Sequence, residues 1–428
     1  MERIEYDFPK KEHIGLTGSL ERFSGSTSKV LSDGEAEEVP FTGKYPVIFI
    51  PGLMGSQLEV TLKDRQDPPN WLCRRTNEKW ERIWIIDDVH LLPELVDCWL
   101  QTINVRWNAT SGKLEPWSEG IESRYKPGFD GAMNLGPNTE VLSPIAQWMS
   151  EEFGYKVGVD LVAQPYDWRA GPETWMKAGG VFDEMKALIE KTVDSRPGKE
   201  PIVAWSISMG GPFFSLFLNK HVSEEWKARY IHTFFSVSGV MSGSVIAPFV
   251  SFSGTKFGGG IPSFLKSALD QLATELSSIA WIYPHDDAFG DKPIIQTTER
   301  NFTSAELGEA LLKVNNKQQA TLLKKNLHLY GLQGLVPNVT TYCMSGYGVP
   351  TFGALDYGEK LEYGKIPKTI MTDGDNCVPV ESLRVCDDFG LHQEQPVFPY
   401  HIYNQTHGGL AGDTQTMTLF AQVFTGIL

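Results

Sequence analysis

One segment, residues 202–211 (IVAWSISMGG), constrains the fold more than any other part of the chain. Its apolar first half predicts a buried strand, and the apolar pattern from Gly210 onward predicts the helix that follows. Between them, the small residues Ser206 and Gly210 flank Ser208, and such spacing allows the sharp turn that exposes a serine hydroxyl. Centring the turn on Ser206 would put Ser208 where glycine is normally needed. The segment therefore predicts a strand, a tight turn that presents Ser208, and a helix.

Apolar runs and helical patterns alternate along the 428 residues. Helical patterns at 183–193, 211–221 and 413–428 separate or follow the apolar runs, which is the order of βαβ units. We therefore predict an α/β fold with a mostly parallel, doubly wound sheet. Residues 41–428 are expected to form a single domain behind a flexible leader, residues 1–40. The predicted strands are 45–50, 157–163, 201–205, 230–237, 340–344, 366–371 and 397–403.

Two segments interrupt this alternation and are predicted to be insertions. The first, at about residues 69–135, contains Trp71, Leu72 and several further tryptophans and leucines. We expect it either to form a surface helical hairpin with inward-facing aromatic side chains or to contact a membrane. The second, at about 245–335, has a mostly helical pattern that begins near the glycines at 258–260. Insertions above the carboxyl edge of a parallel sheet usually shape the substrate site.

Composition argues against several classes of function. The formal charge of −15 disfavours a nucleic-acid partner. The nine histidines are scattered and the cysteines lack close paired spacing, so we expect no metal site. The sequence also lacks a glycine-rich phosphate loop with its lysine, so we expect chemistry without a cofactor. The longest uncharged stretch, 233–255, is rich in serine and glycine and favours a buried strand and loop over a membrane span.

Four N-glycosylation sequons, more than chance predicts for so few asparagines, favour a secretory or lysosomal compartment. Residues 1–40 contain no apolar core of a signal peptide, which is the one observation against this compartment. We expect a secreted protein, or one of the lysosomal or endomembrane lumen, that is peripheral on membranes. The sequon asparagines are Asn108, Asn301, Asn338 and Asn404.

A serine hydroxyl becomes a strong nucleophile when a histidine accepts its proton and a carboxylate orients that histidine. In the α/β-hydrolase fold, which has this type of turn, the chain order is serine, acid, histidine. Asp373 and Asp375 both follow an apolar strand, and spacing alone does not separate them. His407 lies between the last predicted strand and the last helix. It is favoured over His401, which lies inside a strand pattern, and His392, which lies in a polar connection.

The tetrahedral intermediate of acyl transfer needs two N–H donors for its oxyanion. The fold usually supplies one donor from the residue after the nucleophile, here Met209. The other comes from the turn after an early strand, here Leu53 in the turn 51–55. Because both donors are backbone groups, the glycines of that turn matter more than its side chains.

Several distinctive segments follow one another along the chain in the same order as in one known family. With them, the chain resembles the lecithin:cholesterol acyltransferase family from about Tyr45 to the C-terminus. The resemblance implies an α/β-hydrolase fold with a lid and membrane-binding insertion and a helical cap. The segments are the turn 51–59 (PGLMGSQLE), the stretch 70–99 with its tryptophans, PYDWR at 165–169, GYGVPT at 346–351 and DGD at 373–375.

The resemblance also implies roles for single residues. It implies Ser208 as the nucleophile, Asp375 as the orienting acid and His407 as the general base, which removes the ambiguity between the two acids. Leu53 and Met209 are implied as the oxyanion donors.

Two disulfides are implied by the same resemblance, together with contact of Trp71 and Leu72 with a membrane. Cys377 then remains a free thiol. After the strand 230–237 the family's GAPWGG is replaced here by SGVMSG at 238–243, so contacts with the acyl chain are expected to differ. The implied disulfides join Cys73 to Cys98 and Cys343 to Cys386.

These features together predict an enzyme that takes a fatty acyl chain from a glycerophospholipid onto Ser208. The chain then passes to water, or to a lipid alcohol such as a sterol or diacylglycerol. The expected partners are a phospholipid membrane surface, a fatty acyl chain and a sterol or other alcohol acceptor. The alternatives are a neutral-lipid or other ester hydrolase and a catalytically silent lipid-binding protein. A serine peptidase is disfavoured by the tryptophan-rich insertion.

Overall fold

The computed structural model describes most of the chain. Of the predicted leader it describes two strands, Ser26–Val30 and Ala36–Pro40, which pair antiparallel. The glycines at 258–260 lie outside the described residues. The described residues are 26–30, 36–40, 43–84, 93–108, 110–111, 113–136, 139–253, 272 and 276–428.

Six parallel strands form the central sheet, which confirms the predicted α/β class. In chain order the strands are β1 (Val47–Ile50), β2 (Leu161–Ala163), β3 (Ile202–Ile207), β4 (Ile231–Val237), β5 (Thr341–Tyr347) and β6 (Val397–Tyr403). Their order across the sheet is β2-β1-β3-β4-β5-β6, and every neighbouring pair is parallel. Because the carboxyl ends of parallel strands meet at one edge, the segments after β1, β3, β4 and β6 lie close together.

The inner strands of the central sheet are buried on both faces, whereas much of the edge strand β6 is exposed. In β1, Ile48 and Ile50 belong to one hydrophobic cluster, whereas Val47 and Phe49 belong to another. Burial on both faces explains why the inner strands are continuous apolar runs in the sequence. The first cluster includes residues of the helices Val181–Asp194 and Gly210–Lys220, and the second includes residues of Ser143–Phe153 and Thr414–Thr425.

The predicted strand 157–163 is shorter than expected. Only Leu161–Ala163 pairs with β1, because the chain turns at Gly158, whose φ is 78° and whose N–H donates to the carbonyl of Leu161. Val157 and Val159 are consequently about half exposed, at 50% and 54%. Their apolar side chains made this turn look like part of the strand.

The predicted strand 366–371 belongs to a second sheet and not to the central one, so this part of the prediction is wrong. The strand is Lys368–Gly374, and it pairs antiparallel with Val349–Asp356 at the edge of a four-stranded sheet. Its polar residues and partly exposed Ile370 and Met371 fit an edge position. The other two strands of this sheet are Pro293–Gln296 and Phe302–Thr303.

The first predicted insertion is built largely from strands. Its longest described helix, Pro93–Ile103, lies beside a three-stranded antiparallel sheet, so the expected helical hairpin is wrong for the described residues. Its aromatic side chains differ in exposure, since Trp84 and Trp99 are buried whereas Trp71 is 89% exposed. The strands of this sheet are Leu58–Leu62, Glu81–Trp84 and Ile121–Tyr125. Two further pairs of short antiparallel strands are present. Val105–Asn108 pairs with Lys113–Pro116, and Asn134–Gly136 pairs with Thr139–Glu140.

The second predicted insertion contains short helices in its described part. Every helix within the described ranges is too short or too polar to span a bilayer. The helices of the insertion are Ile246–Ser253, Ser277–Trp281, Asp286–Phe289, Leu307–Lys313, Lys317–Asn326 and Gly331–Leu335. Elsewhere the chain forms the helices Asp130–Met133, Pro172–Trp175, Glu224–Tyr230, Val380–Leu383 and Val385–Asp388.

Candidate active site

Ser208 lies in the turn between β3 and the helix Gly210–Lys220, as the sequence predicts. Its φ is 57°, in the left-handed region that costs energy for a residue with a side chain. Its N–H donates to the carbonyl of Val237 at 3.0 Å, and its carbonyl accepts from the N–H of Gly211 at 3.0 Å. A strained strand-to-helix turn of this kind is how an α/β-hydrolase presents its nucleophile.

Two glycines allow the turn after β1 to pack directly against Ser208. A Cβ added to Gly52 would lie 2.8 Å from the Cβ of Ser208. A Cβ added to Gly210 would lie 2.6 Å from the carbonyl oxygens of both Ile50 and Pro51. Neither position has room for a side chain, so the glycines set the distance between the two turns.

Leu53 lies at the tip of this turn, beside Met54. The N–H of Gly55 donates to the carbonyl of Gly52 at 3.0 Å, and Met54 has a φ of 63°. Within the described part of the chain, the N–H groups of Leu53 and Met209 donate to no backbone or side-chain acceptor. Two unpaired amides beside a candidate nucleophile suit the binding of an oxyanion.

Three buried aromatic side chains hold the same turn by their polar atoms. The hydroxyl of Tyr166 donates to the carbonyl of Pro51 at 3.0 Å, and Trp168 Nε1 donates to the carbonyl of Ser56 at 3.0 Å. Trp84 Nε1 donates to the carbonyl of Met54 at 2.8 Å. Sequence reasoning identified 165–169 only as a family signature and assigned it no role. The sequence signal for such a role is that a buried Tyr or Trp usually needs a hydrogen-bond acceptor for its O–H or N–H group.

Asp375 and His407 form a hydrogen-bonded pair. His407 Nδ1 lies 2.8 Å from Asp375 Oδ2, and the His407 N–H donates to the Asp375 carbonyl at 2.7 Å. Asp375 is fully buried, and its Oδ1 accepts from the N–H groups of Cys377 at 3.0 Å and Val378 at 2.7 Å. Because Nδ1 faces the acid, Nε2 of His407 is the nitrogen left to exchange a proton with substrate.

The competing residues make other contacts. Asp373 is exposed, and its Oδ1 accepts from the N–H of Gly348 at 2.6 Å. His401 lies between Ser345 Oγ, 2.6 Å from its Nδ1, and Asp387 Oδ2, 3.0 Å from its Nε2. His392 follows a short helical turn, where its N–H donates to the carbonyl of Phe389. The geometry therefore supports Asp375 and His407 as partners.

Known protein families give a second line of evidence beside this geometry. Residues 80–332 match the model of the family described as Lecithin:cholesterol acyltransferase, which is more than half of the chain. The chain belongs to the lecithin:cholesterol acyltransferase family. The resemblance inferred from the sequence is thus confirmed.

Relatives in this family match nearly the whole chain. A phosphatidylcholine-sterol acyltransferase of Gallus gallus is 29% identical over 90% of this chain and 91% of its own length. A lysosomal phospholipase A and acyltransferase of Bos taurus is 26% identical over 90% of this chain and 93% of its own. A solved chain of the Tle4-Tli4 complex covers 90% of this chain and 99% of its own, at 12% identity and a TM-score of 0.46.

In this member of the lecithin:cholesterol acyltransferase family, a polar network supports the segment after β4. Asp287 accepts from the hydroxyl of Ser242 and from the N–H of Leu332, and its Oδ1 lies 3.0 Å from His285 Nδ1. Burial opposes the charge on His285, but the hydrogen bond and charge of Asp287, with the charge of Asp286, outweigh burial and raise its pKa. Burial likewise opposes the charge on Asp287, yet His285 and Ser242 lower its pKa.

Both cysteine pairs implied by the family resemblance lie at bonding distance. The sulfurs of Cys73 and Cys98 are 2.11 Å apart, and those of Cys343 and Cys386 are 1.98 Å apart. Cys377 lies outside the two disulfides and is half-buried beside the candidate acid. No group of three or more His, Cys, Asp or Glu side chains in the described ranges could hold a metal ion.

The remaining predicted surface residues differ in exposure. Trp71 and Leu72 are exposed, at 89% and 41%. Of the sequon asparagines, Asn301 and Asn404 are exposed. Asn108 and Asn338 are half-buried and donate through Nδ2 to Glu115 and Glu224 respectively.

Proposed function

We propose that this protein is a serine acyl-ester enzyme acting on glycerophospholipids. Ser208 removes a fatty acyl chain from the phospholipid and passes it to water or to a lipid alcohol. The observation that carries the proposal is the Asp375–His407 pair at the edge of the sheet where Ser208 occupies its strained turn. The names of the relatives, phosphatidylcholine-sterol acyltransferase and lysosomal phospholipase A and acyltransferase, support both kinds of acceptor.

In the first half-reaction, Ser208 Oγ attacks the acyl carbonyl carbon while His407 Nε2 accepts the hydroxyl proton. The carbonyl oxygen becomes an oxyanion that the N–H groups of Leu53 and Met209 are placed to bind. The intermediate then collapses, the bond from the acyl carbon to the glycerol oxygen breaks, and His407 returns the proton to that oxygen. The lysophospholipid leaves and an acyl-serine ester remains.

In the second half-reaction, water or a lipid alcohol gives its proton to His407 and attacks the acyl-serine carbonyl carbon. The bond from that carbon to Ser208 Oγ breaks, and Oγ takes the proton back from His407. A free fatty acid leaves when the acceptor is water, and a new ester leaves when the acceptor is an alcohol. Buried Asp375 orients His407 and stabilises its charged form throughout.

The substrate lies in a bilayer, so the proposal includes a membrane contact. Trp71 is 89% exposed, whereas Trp80 and Trp117 are 36% and 37% exposed and Trp84 and Trp99 are buried. An exposed Trp beside an exposed Leu suits the headgroup region of a membrane without spanning it. Two disulfides and exposed sequons at Asn301 and Asn404 support a secretory or lysosomal location with glycosylation.

The decisive experiment follows acyl products from phosphatidylcholine liposomes that contain a sterol and a diacylglycerol. Mass spectrometry should detect free fatty acid, a sterol ester or triacylglycerol with the wild-type protein, and none with Ser208→Ala. Products from Ser208→Ala at the wild-type rate would overturn the assignment of the nucleophile. Acyl release from the diacylglycerol but not from phosphatidylcholine would overturn the substrate class. Failure of a fluorophosphonate to label the wild-type protein at Ser208 would overturn the serine mechanism.

A further inference from the structure

The segment that follows β4, residues 237–240, contacts both the candidate nucleophile and the candidate base. The carbonyl of Val237 accepts from the N–H of Ser208 at 3.0 Å, and the N–H of Val240 approaches the carbonyl of Ser208 at 3.4 Å. Between these two residues, Ser238 Oγ donates to the carbonyl of His407 at 3.0 Å. One short segment therefore joins the backbones of the two groups that must exchange a proton.

The backbone of Ser238 is strained and its side chain is fully buried. Its φ is 49°, in the left-handed region where glycine carries no steric cost and serine does. Its exposure is 0%, and its N–H donates to the carbonyl of Met344 in β5 at 2.8 Å. A buried hydroxyl must be hydrogen-bonded to avoid a desolvation cost, and its partner here is the His407 carbonyl. The hydroxyl contact is what serine provides at this position and glycine does not.

The other hydrogen bonds of His407 lead to a different part of the fold. Its Nδ1 and its N–H both bind Asp375, which follows a strand of the second sheet. Those two contacts fix the base relative to the acid. The Ser238 contact fixes the base relative to β4 and hence to Ser208, which is bound to the same segment. Loss of this contact would leave the acid–base pair intact but less well held against the nucleophile.

We propose that Ser238 is a positioning residue that sets His407 against Ser208 through the hydrogen bond from its hydroxyl to the His407 carbonyl. This inference rests on the proposed roles of Ser208 and His407. It concerns the rate of nucleophilic attack, because the Ser238 hydroxyl is buried and bonded to the backbone of the candidate base. The effect is expected in both half-reactions, since His407 exchanges a proton in each, and labelling of Ser208 reports on the first.

Two substitutions separate the hydroxyl from the backbone strain. Ser238→Ala removes the hydroxyl and keeps a side chain at positive φ, whereas Ser238→Gly removes both the hydroxyl and the strain. If strain alone mattered, the alanine variant, which keeps the strain, would equal the wild type and only the glycine variant would change. If the hydroxyl positions His407, both variants lose rate, even where the glycine variant is as stable as the wild type.

The assay is the second-order rate of fluorophosphonate labelling of Ser208, together with kcat and KM for hydrolysis of p-nitrophenyl butyrate. Loss of one hydrogen bond predicts a decrease of about 3- to 10-fold in the labelling rate and in kcat. We expect KM to stay unchanged. Ser215→Ala is the matched control, since Ser215 is equally buried and its hydroxyl has no hydrogen-bond partner among the described residues. Melting temperatures of all variants show whether they are folded at the assay temperature.

The outcomes separate this inference from the proposed function. Wild-type labelling and kcat in Ser238→Gly would overturn the role of Ser238 while leaving Ser208 as the nucleophile. A loss in Ser238→Gly that disappears well below its melting temperature would also overturn it, because the role would then be stability alone. Labelling without any hydrolysis of phosphatidylcholine would overturn the lipid substrate only. A wild-type protein that is not labelled would overturn the serine mechanism and this inference together.

Discussion

Gly52→Ala is the substitution whose effect follows most directly from the geometry of the site. The new Cβ would lie 2.8 Å from the Cβ of Ser208, 3.2 Å from the carbonyl oxygen of Ile207 and 3.3 Å from Ser208 Oγ. Non-bonded carbon atoms prefer a separation of about 3.5–4.0 Å. The turn that includes Leu53 and the turn that includes Ser208 must therefore separate by about 1 Å.

A displacement of this size acts on the reaction more than on the fold. A misplacement of about 1 Å can lower a rate about 100-fold, and loss of one oxyanion donor lowers kcat by about 100- to 1000-fold. We therefore expect kcat of Gly52→Ala to fall about 100-fold with little change in KM. Overpacking in a buried site costs about 1–3 kcal/mol of stability, so the protein should remain folded at the assay temperature.

The assay for Gly52→Ala is steady-state hydrolysis of a soluble p-nitrophenyl ester, with circular dichroism to confirm folding. Gly308→Ala is the matched control, because a Cβ there meets nothing within 4 Å and the residue lies in the helix Leu307–Lys313. That control should keep wild-type kcat and gain about 0.5–1 kcal/mol of stability. A folded Gly52→Ala with kcat within about threefold of wild type would refute the packing argument, since the predicted loss is about 100-fold.

Three further predictions concern stability and membrane contact. Cys73→Ser opens the bond to Cys98, which spans a sequence separation of 25, and should lower the free energy of unfolding by about 3–4 kcal/mol; an unchanged urea midpoint would contradict this. Trp71→Ala should reduce co-sedimentation with phosphatidylcholine vesicles while leaving soluble-ester hydrolysis and the melting temperature intact, and equal vesicle binding would count against the membrane contact. The raised pKa of His285 beside Asp287 means that its stabilisation is full below its unfolded pKa of about 6.5 and is lost as pH rises through the folded value. His285→Gln should therefore lower the melting temperature more at acidic than at alkaline pH, and an equal decrease on both sides would refute the linkage.

The inner strands of the central sheet could be predicted closely because their burial on both faces produces continuous apolar runs. β1, β3 and β4 differ from prediction by one or two residues at an end, and the largely exposed edge strand β6 (Val397–Tyr403) has the predicted bounds as well. The strand Lys368–Gly374 could not be assigned to its sheet in this way. Its local pattern indicates a strand, but which sheet a strand joins depends on contacts distant in sequence.

The candidate reacting residues were also more predictable from the sequence than the residues that hold them in position. The small residues around Ser208 favour a sharp turn, so the candidate nucleophile could be found from local sequence. Spacing did not separate Asp373 from Asp375, because that choice depends on how the strand end packs against His407. The role of Ser238 had no local signal, since its partner lies far along the chain and its positive φ does not follow from its residue type.

The family signature at 346–351 contains no candidate reacting group, yet its glycines have a structural reason beside the site. A Cβ on Gly346 would lie 2.3 Å from the carbonyl oxygen of Gln405 and 3.3 Å from the Cβ of Asp375. Gly348 has a φ of 86°, and a Cβ there would lie 2.5 Å from the Tyr403 ring. The end of β5 therefore packs against both the acid and the segment that leads to His407. These glycines thus help to position the candidate acid–base pair, as Tyr166 and Trp168 help to position the turn that contains Leu53.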